Sequence, residues 1–365
     1  MLDKYILKSE ERAIFTLRSI YKNYGYLPFK MSKFEEYDLY VGNKDFLVSD
    51  RVITFNDTDG RLLALKPDVT LSIIKNTTDE PGVKQKVYYN ENVYRVSGAT
   101  GQFKEIMQMG LESIGDIDVT DIYEVVSLAL KSLSAVSEDF VLDISHMGIL
   151  SAFLDEASDN PLFKKEVISL ISNKNSHEIS SLAEKYGVEK EACKKLVLLA
   201  GMYGEPSEVI KKLEPLCESV SSAKALSELK VLNYLLSKSE YYGKVRIDFS
   251  VVHNISYYDG IVFSGFLSGI FEQALSGGEY GKLLSGLGRK SRAIGFALYL
   301  DLLEELYSSD REYDVDVLLL YDDSVAAAEV IARQSELLAE GKSVSAQRMT
   351  PAKLRYETLV DMRKN

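Results

Sequence analysis

The sequence predicts an α+β fold: an antiparallel sheet flanked by helices, with a helical insertion and a small α/β C-terminal tail. Three observations carry this reading. Strand–turn–strand patterns recur at 52–65 and 86–115, joined by Gly- and Asp-bearing turns, as in antiparallel pairing. Residues from about 149 to 240 are almost continuously amphipathic at helical spacing and rich in Leu, Lys, Glu and Ala. The last fifty or so residues repeat a strand–helix–strand pattern on a small scale.

Taken in order, residues 8–25 place Ile14, Leu17, Ile20 and Tyr21 on one helical face, and Gly25 ends that helix. Residues 26–40 read as extended. Val52-Ile53-Thr54-Phe55 and Leu62-Leu63-Ala64-Leu65 flank a turn ending in Asp59-Gly60, a hairpin signal because Asp-Gly accepts positive φ. Lys66-Pro67-Asp68-Val69-Thr70 closes the second strand; a helix follows at 71–76, with Asp68 or Thr70 placed to cap it. From Lys86 to Gly115 the chain reads strand, loop, strand. The first strand ends in Tyr94-Arg95, the loop carries Gly98 and Gly101, and the return strand holds Gln108-Met109-Gly110-Leu111-Glu112. An arginine at a strand end, opposite inward polar groups, suits a small zwitterion or a phosphate.

A helix over 118–136 and a strand at 140–144 come next, then the helical insertion at about 149–240. Strand character returns at 245–249 and 260–263. Gly277-Gly278 read as a turn, and 292–309 as a strand running into a helix. The tail has a strand at 316–321, a helix at 324–341 and a second strand at 342–345, about half of a small α/β domain. The domain reading is therefore a core of 1–310 and a tail of 311–365.

Composition bounds the function. The chain has 365 residues, 46% hydrophobic and 27% charged, enough for one large core with appendages. Its 43 basic and 55 acidic residues give a net charge of −12, which speaks against nucleic acid as the main partner, since phosphate contacts reward a basic face. Two cysteines, Cys193 and Cys217, read as reduced thiols, and three histidines (His146, His177, His253) are too few for a His-rich metal site. No metal and no cofactor are expected. The N-terminus lacks the basic-then-apolar pattern of a signal peptide, and no run approaches about 18 apolar residues. The expectation is a soluble, cytoplasmic protein with no membrane association.

Four islands in one order carry a family resemblance: RLLALKPDVT (61–70), the 86–115 stretch, VVHNISYYDGIVF (251–263), and GGEYGKL (277–283) with AIGFAL (293–298). The second resembles motif 2 of class II aminoacyl-tRNA synthetases of the histidyl type, FR–loop–F-x-Q-x-G-x-E. The others resemble LRPEGT, RGLDYYTGTVFE, GGRYDxL and AxGFAxGxER of the same family; the first is nearer the LRPDxT of its non-catalytic relatives. The resemblance spans roughly residues 8–307 and implies the class II synthetase fold. It implies a histidine pocket in which Asp68, Thr70, Gln108 and Glu112 take the α-ammonium, Arg95 the α-carboxylate, and Tyr258 and Tyr280 the imidazole edge, with Tyr257 packed beside them. The plain alternatives are a helix cap for Asp68 and Thr70, a structural ion pair for Arg95, a solvated strand face for Glu112 and ordinary strand aromatics for the tyrosines.

The departures select a branch of that resemblance. Where the family has glutamate and arginine after GFAxGx, this chain has Asp301 and Leu302. His253 stands in place of the arginine of RGLDYY. The motif 2 loop, Ser97 to Lys104, keeps only Lys104 as a base, motif 1 lacks its proline after Tyr37, and the tail is half an anticodon-binding domain. Adenylation needs preorganised cations, so this set resembles the regulatory subunits of ATP phosphoribosyltransferase. That family implies a non-enzymatic subunit that binds L-histidine for feedback inhibition. It implies a short-form ATP phosphoribosyltransferase catalytic subunit as partner, needing this chain for activity, and a homodimer within a hetero-octamer, with tRNA not a partner. A divergent active histidyl-tRNA synthetase is the alternative; a synthetase-like binding protein with another ligand is a third.

Overall fold

The computed structural model describes residues 9–43, 51–96, 100–252, 257–303 and 312–363. The chain divides into two compact units, Met1–Leu306 and Tyr307–Asn365.

In the first unit, α1 (Ser9–Asn23) buries Leu17 and Tyr21 completely and ends at Gly25, whose φ of +83° is the left-handed turn that glycine accepts. Next come β1 (Leu27–Pro28), β2 (Phe34–Glu36) and α2 (Tyr37–Val41). The extended reading of 26–40 thus fails at its end: a helical turn puts Tyr37 and Tyr40 on one side, and Tyr40 is buried in the core beneath the cleft described below. The hairpin is present as β3 (Thr54–Asn56) and β4 (Leu62–Leu65), in a small antiparallel sheet ordered β2-β4-β3. After it comes α3 (Thr70–Lys75), and then the long arms β5 (Lys84–Val96) and β6 (Phe103–Gly115), paired antiparallel along their full length.

Helix α4 (Val119–Val136) starts at a reciprocal capping box between Asp118 and Asp121. Strand β7 (Phe140–His146) follows, then the insertion: α5 (Met147–Ala157), α6 (Pro161–Ser172), α7 (Ser176–Tyr186), α8 (Lys190–Ala200), α9 (Pro206–Leu213) and α10 (Val220–Leu236). A two-residue strand, β8 (Tyr203–Gly204), interrupts these helices and pairs with β9 (Val245–Asp248), a contact too short to leave a pattern in the sequence. The unit closes with β10 (Ile261–Leu267), β11 (Leu275–Glu279), α11 (Gly281–Gly286) and β12 (Arg292–Tyr299). The helix expected beyond β12 begins as a 3₁₀ turn, Leu300–Leu302, and its continuation lies outside the described residues.

Nine strands form one sheet, ordered β1-β5-β6-β12-β11-β10-β7-β9-β8, antiparallel except for the β1/β5 and β7/β9 pairs. Helix α4 packs against β7, β10, β11 and β12, with α1 beside it, and covers one face of the sheet. Gly277 and Gly278 are not a turn: both lie within β11, at the middle of the sheet. A Cβ on Gly277 would come 2.5 Å from Phe296 Cβ and 2.7 Å from the Phe263 ring, so glycine here allows close packing rather than a bend.

The second unit has β13 (Val315–Leu320), α12 (Ala327–Ala339), β14 (Val344–Gln347) and β15 (Tyr356–Asp361), a parallel sheet ordered β14-β13-β15 around Leu319, Val325 and Val330. The sequence reading stops one strand short. β15 is an edge strand whose residues are mostly exposed, so it shows no apolar alternation.

Replacing Gly277 with alanine should lower stability by about 1–3 kcal/mol through overpacking, read as a lower urea midpoint at unchanged slope; an unshifted midpoint would contradict the packing described.

Candidate functional site

The sheet face opposite α4 is built from alternate residues of neighbouring strands. On β6 these are Gln108, Gly110 and Glu112; on β12, Gly295, Ala297 and Tyr299; on β5, Tyr89 and Arg95. Glu112 stands opposite Gly295, where a Cβ would come 1.7 Å from its Oε2. The glycine of AIGFAL is therefore the space into which the carboxyl fits.

Glu112 is 3% exposed. The Thr70 hydroxyl donates to its Oε1 at 2.9 Å and the Tyr280 hydroxyl to its Oε2 at 2.6 Å. Burial pushes the carboxyl up from 4.5 to about 8; the two hydroxyl donors pull it down, and the charge of Asp68 adds to the rise. Asp68 is also raised by burial and held back by Arg95. Its Oδ1 accepts from the Leu71 N–H at 3.0 Å, so it fastens the first turn of α3 as well as lining the cleft. Arg95 Nη2 is 3.8 Å from Asp68 Oδ2, and Arg95 Nε donates to the Pro67 carbonyl at 2.7 Å.

Two clamps hold these elements in place. Lys66, completely buried, reaches Glu91 Oε2 at 2.5 Å and ties the end of β4 to β5. Arg289 donates to Asp79 Oδ1 at 2.7 Å and to the Ile74 carbonyl at 3.0 Å, fixing the far end of α3 to the loop before β12; the Ser291 hydroxyl, the Lys290 N–H and Arg289 together hold Asp79 well below the ordinary carboxylate range. On the other wall, Glu279 accepts from the Ile261 N–H at 2.8 Å and Asp259 from the Gly281 N–H at 3.1 Å. These bonds lock the Tyr257–Tyr258 turn to the start of α11. The Tyr257 ring then lies 4.5 Å from that of Tyr258 and 5.4 Å from that of Tyr280.

The result is one cleft of about 380 Å³. All eight residues singled out in the sequence, Asp68, Thr70, Arg95, Gln108, Glu112, Tyr257, Tyr258 and Tyr280, line it. The Tyr280 hydroxyl is bonded to Glu112 and so stands beside the buried carboxyl. Tyr89, Gln273, Ser276 and Tyr299 also line the cleft and were not found from sequence. Tyr89 reads there as one of a strand's alternating apolar residues; only its register opposite Gly110 reveals its direction. His253 and Ser97 to Ala99 lie outside the described residues. Leu302 is buried, and Asp301 takes Lys104 at 3.0 Å.

This architecture, a large antiparallel sheet with a motif-2 hairpin and a glycine-floored cleft, is that of a class II synthetase-like protein. Residues 6–303 match the model of the histidyl-tRNA synthetase family, and the chain belongs to that family. Within it, the chain is 30% identical over 320 residues to an ATP phosphoribosyltransferase regulatory subunit of Clostridium kluyveri, a match covering 84% of this chain and 81% of the relative. A solved ATP phosphoribosyltransferase regulatory subunit/histidyl-tRNA synthetase from Bacillus halodurans superposes with a TM-score of 0.77 at 22% identity, over 98% of this chain and 94% of that one. A chain of the ATP phosphoribosyl transferase (HisG:HisZ) complex from Thermotoga maritima gives a TM-score of 0.62 at 22% identity, over 79% of this chain and 96% of that one. At these identities the solved structures speak for the fold.

The raised carboxyl gives a stability signature. Native Glu112 keeps its proton up to about pH 8, whereas an ordinary glutamate releases it near 4.5. Stability is therefore fully present below 4.5 and declines as pH rises through 8. Glu112→Gln removes that decline, so its melting temperature relative to the parent should climb between pH 4.5 and 8 and level off above; a pH-independent difference would contradict the assignment.

Proposed function

We propose that the cleft holds L-histidine and that the chain is a non-catalytic regulatory subunit of ATP phosphoribosyltransferase. In this reading it partners a short-form catalytic subunit in the first step of histidine biosynthesis, as a homodimer within a hetero-octamer in the cytoplasm. The catalytic subunit requires it for activity and is feedback-inhibited through it. The observation that carries the reading is the balance of charge. Among the described residues lining the cleft, Arg95 is the sole base, and it already faces Asp68 and the Pro67 carbonyl. Two carboxyl groups stand against it, and the position that holds arginine in active synthetases is the buried Leu302. Such a lining accepts an α-ammonium and offers a triphosphate almost no compensating charge. The names of the curated relatives point the same way.

The ammonium goes to Glu112, Asp68, Thr70 and Gln108. Arg95 turns its free guanidinium edge to the carboxylate, and Tyr258 meets the imidazole, with the tilted Tyr257 ring packed beside it. Regulation follows by linkage: if histidine binds one state of the assembly better, a coupling of about 1–3 kcal/mol changes activity roughly 5- to 150-fold.

Reconstitution with a short-form catalytic subunit, ATP and phosphoribosyl pyrophosphate tests the proposal. Turnover should require this chain and fall as histidine is added. No effect on the partner, together with histidine-dependent ATP–pyrophosphate exchange, would favour an active synthetase instead. Glu112→Ala should weaken histidine binding by roughly 10- to 100-fold in calorimetry, the loss of one charge-assisted contact, and Tyr258→Ala should weaken it through loss of the phenol hydroxyl and the ring packing, with cooperative melting retained in both. Unchanged affinity in both would remove the cleft from the account.

A further inference from the structure

The sheet face that carries the cleft continues past it. Beyond Gln273 lies a second hollow of about 430 Å³ over β7, β9 and β10; Val252 and Gln273 line both, as a partition between them. Its floor is acidic. Asp143 on β7 is 8% exposed and Asp248 on β9 is 4% exposed. The two are not equally satisfied. Asp248 holds Lys174 Nζ at 2.8 Å and accepts from the Ser250 N–H at 2.8 Å. Asp143 Oδ1 is buried in the hollow with no hydrogen-bond partner. An orphaned buried acceptor is rare in a folded chain and calls for an explanation.

The surroundings state what the missing donor is. Ser172, Ser250 and Ser264 add hydroxyls, and Gln273 adds an amide whose Oε1 accepts from Ser264 at 3.2 Å. Among the described residues no three His, Cys, Asp or Glu side chains converge, so this is no metal cage. Burial and the neighbouring Asp248 push the Asp143 carboxyl up to about 6, against the pull of Lys174 and Arg246, so a further cation at Asp143 is favourable. Lys174 is itself unusual: its φ of +55° makes it the one non-glycine residue in the left-handed region among those described. That backbone turn sets its ammonium on Asp248 and over the Tyr203 ring at 4.9 Å, leaving Asp143 uncovered.

We infer that this hollow is a second binding site, for the primary ammonium group of a small organic amine, with Asp143 as its principal acceptor and the serine hydroxyls as secondary ones. The site is separate from the cleft over Glu112 and does not depend on what that cleft binds.

The test uses ethylammonium chloride as probe, with tetramethylammonium chloride as a cation that cannot donate hydrogen bonds, on the full chain at constant ionic strength. Binding is followed by thermal unfolding and by amide chemical shifts. Ethylammonium should stabilise saturably and tetramethylammonium should not. Asp143→Asn, close to isosteric, should weaken binding at least 10-fold. Lys174→Ala, an exposed-side-chain change that leaves Asp248 without its cation, should tighten it several-fold and carries the test if the Asp143 variant folds poorly. Glu112→Gln, which acts on the other cleft, should leave the amide shift changes around Asp143 and Asp248 unchanged. Equal effects of the two cations, or binding that follows Glu112→Gln rather than the Asp143 and Lys174 variants, would overturn the inference.

Discussion

The burial of Glu112 is the constraint around which the cleft is organised. A carboxyl at 3% exposure, in the middle of a nine-stranded sheet, is unfavourable unless its oxygens find donors. Thr70 and Tyr280 supply one each, from segments 42 residues before and 168 residues after it. Three stretches far apart in sequence are thereby required to meet at one point. Gly295 is required too, because any side chain there would occupy the same space. The buried Lys66–Glu91 pair and the Arg289–Asp79 clamp work outward from this centre, holding α3 from both ends so that Thr70 and Asp68 face Glu112.

The same constraint separates this cleft from a catalytic one. An adenylating site needs charge that is ready before the phosphate arrives. Here the preorganised groups are acceptors: two carboxyls, a threonine hydroxyl, tyrosine hydroxyls and an amide. Asp301 and Lys104 neutralise one another, and Leu302 is buried. A cation-poor, acceptor-rich floor is suited to recognising an ammonium, and in a regulatory chain recognition without turnover is all that is required.

Much of this was legible in the sequence, for identifiable reasons. The long arms β5 and β6 and the helices of the insertion carry strong periodicity, and the site residues lie in short islands whose order is itself a pattern. What the sequence hid was set by tertiary packing. Gly277-Gly278 read as a turn because glycine pairs usually mark one; here they let Phe263 and Phe296 approach within a continuous strand. The helical turn at Tyr37 is fixed by burial of Tyr40, and β15 is an edge strand without an apolar face. Tyr89, Gln273 and Tyr299 reach the cleft through strand register and loop position, which single-residue signals do not encode. Asp143 looked like one more strand residue, since only the neighbouring strands reveal that its oxygen is buried and unpaired.

The central claim, that a buried and protonated Glu112 waits for an ammonium, has a direct thermodynamic consequence. At pH 7 a carboxyl held up to about 8 is mostly protonated in the empty cleft, and an ammonium seated on it favours the ionised form. Histidine titrated calorimetrically at pH 7, in two buffers of different ionisation enthalpy, should therefore release about one proton per site, and Glu112→Gln should abolish that release. Histidine binding with no buffer dependence, or a cleft that takes ATP tightly and histidine not at all, would contradict the account.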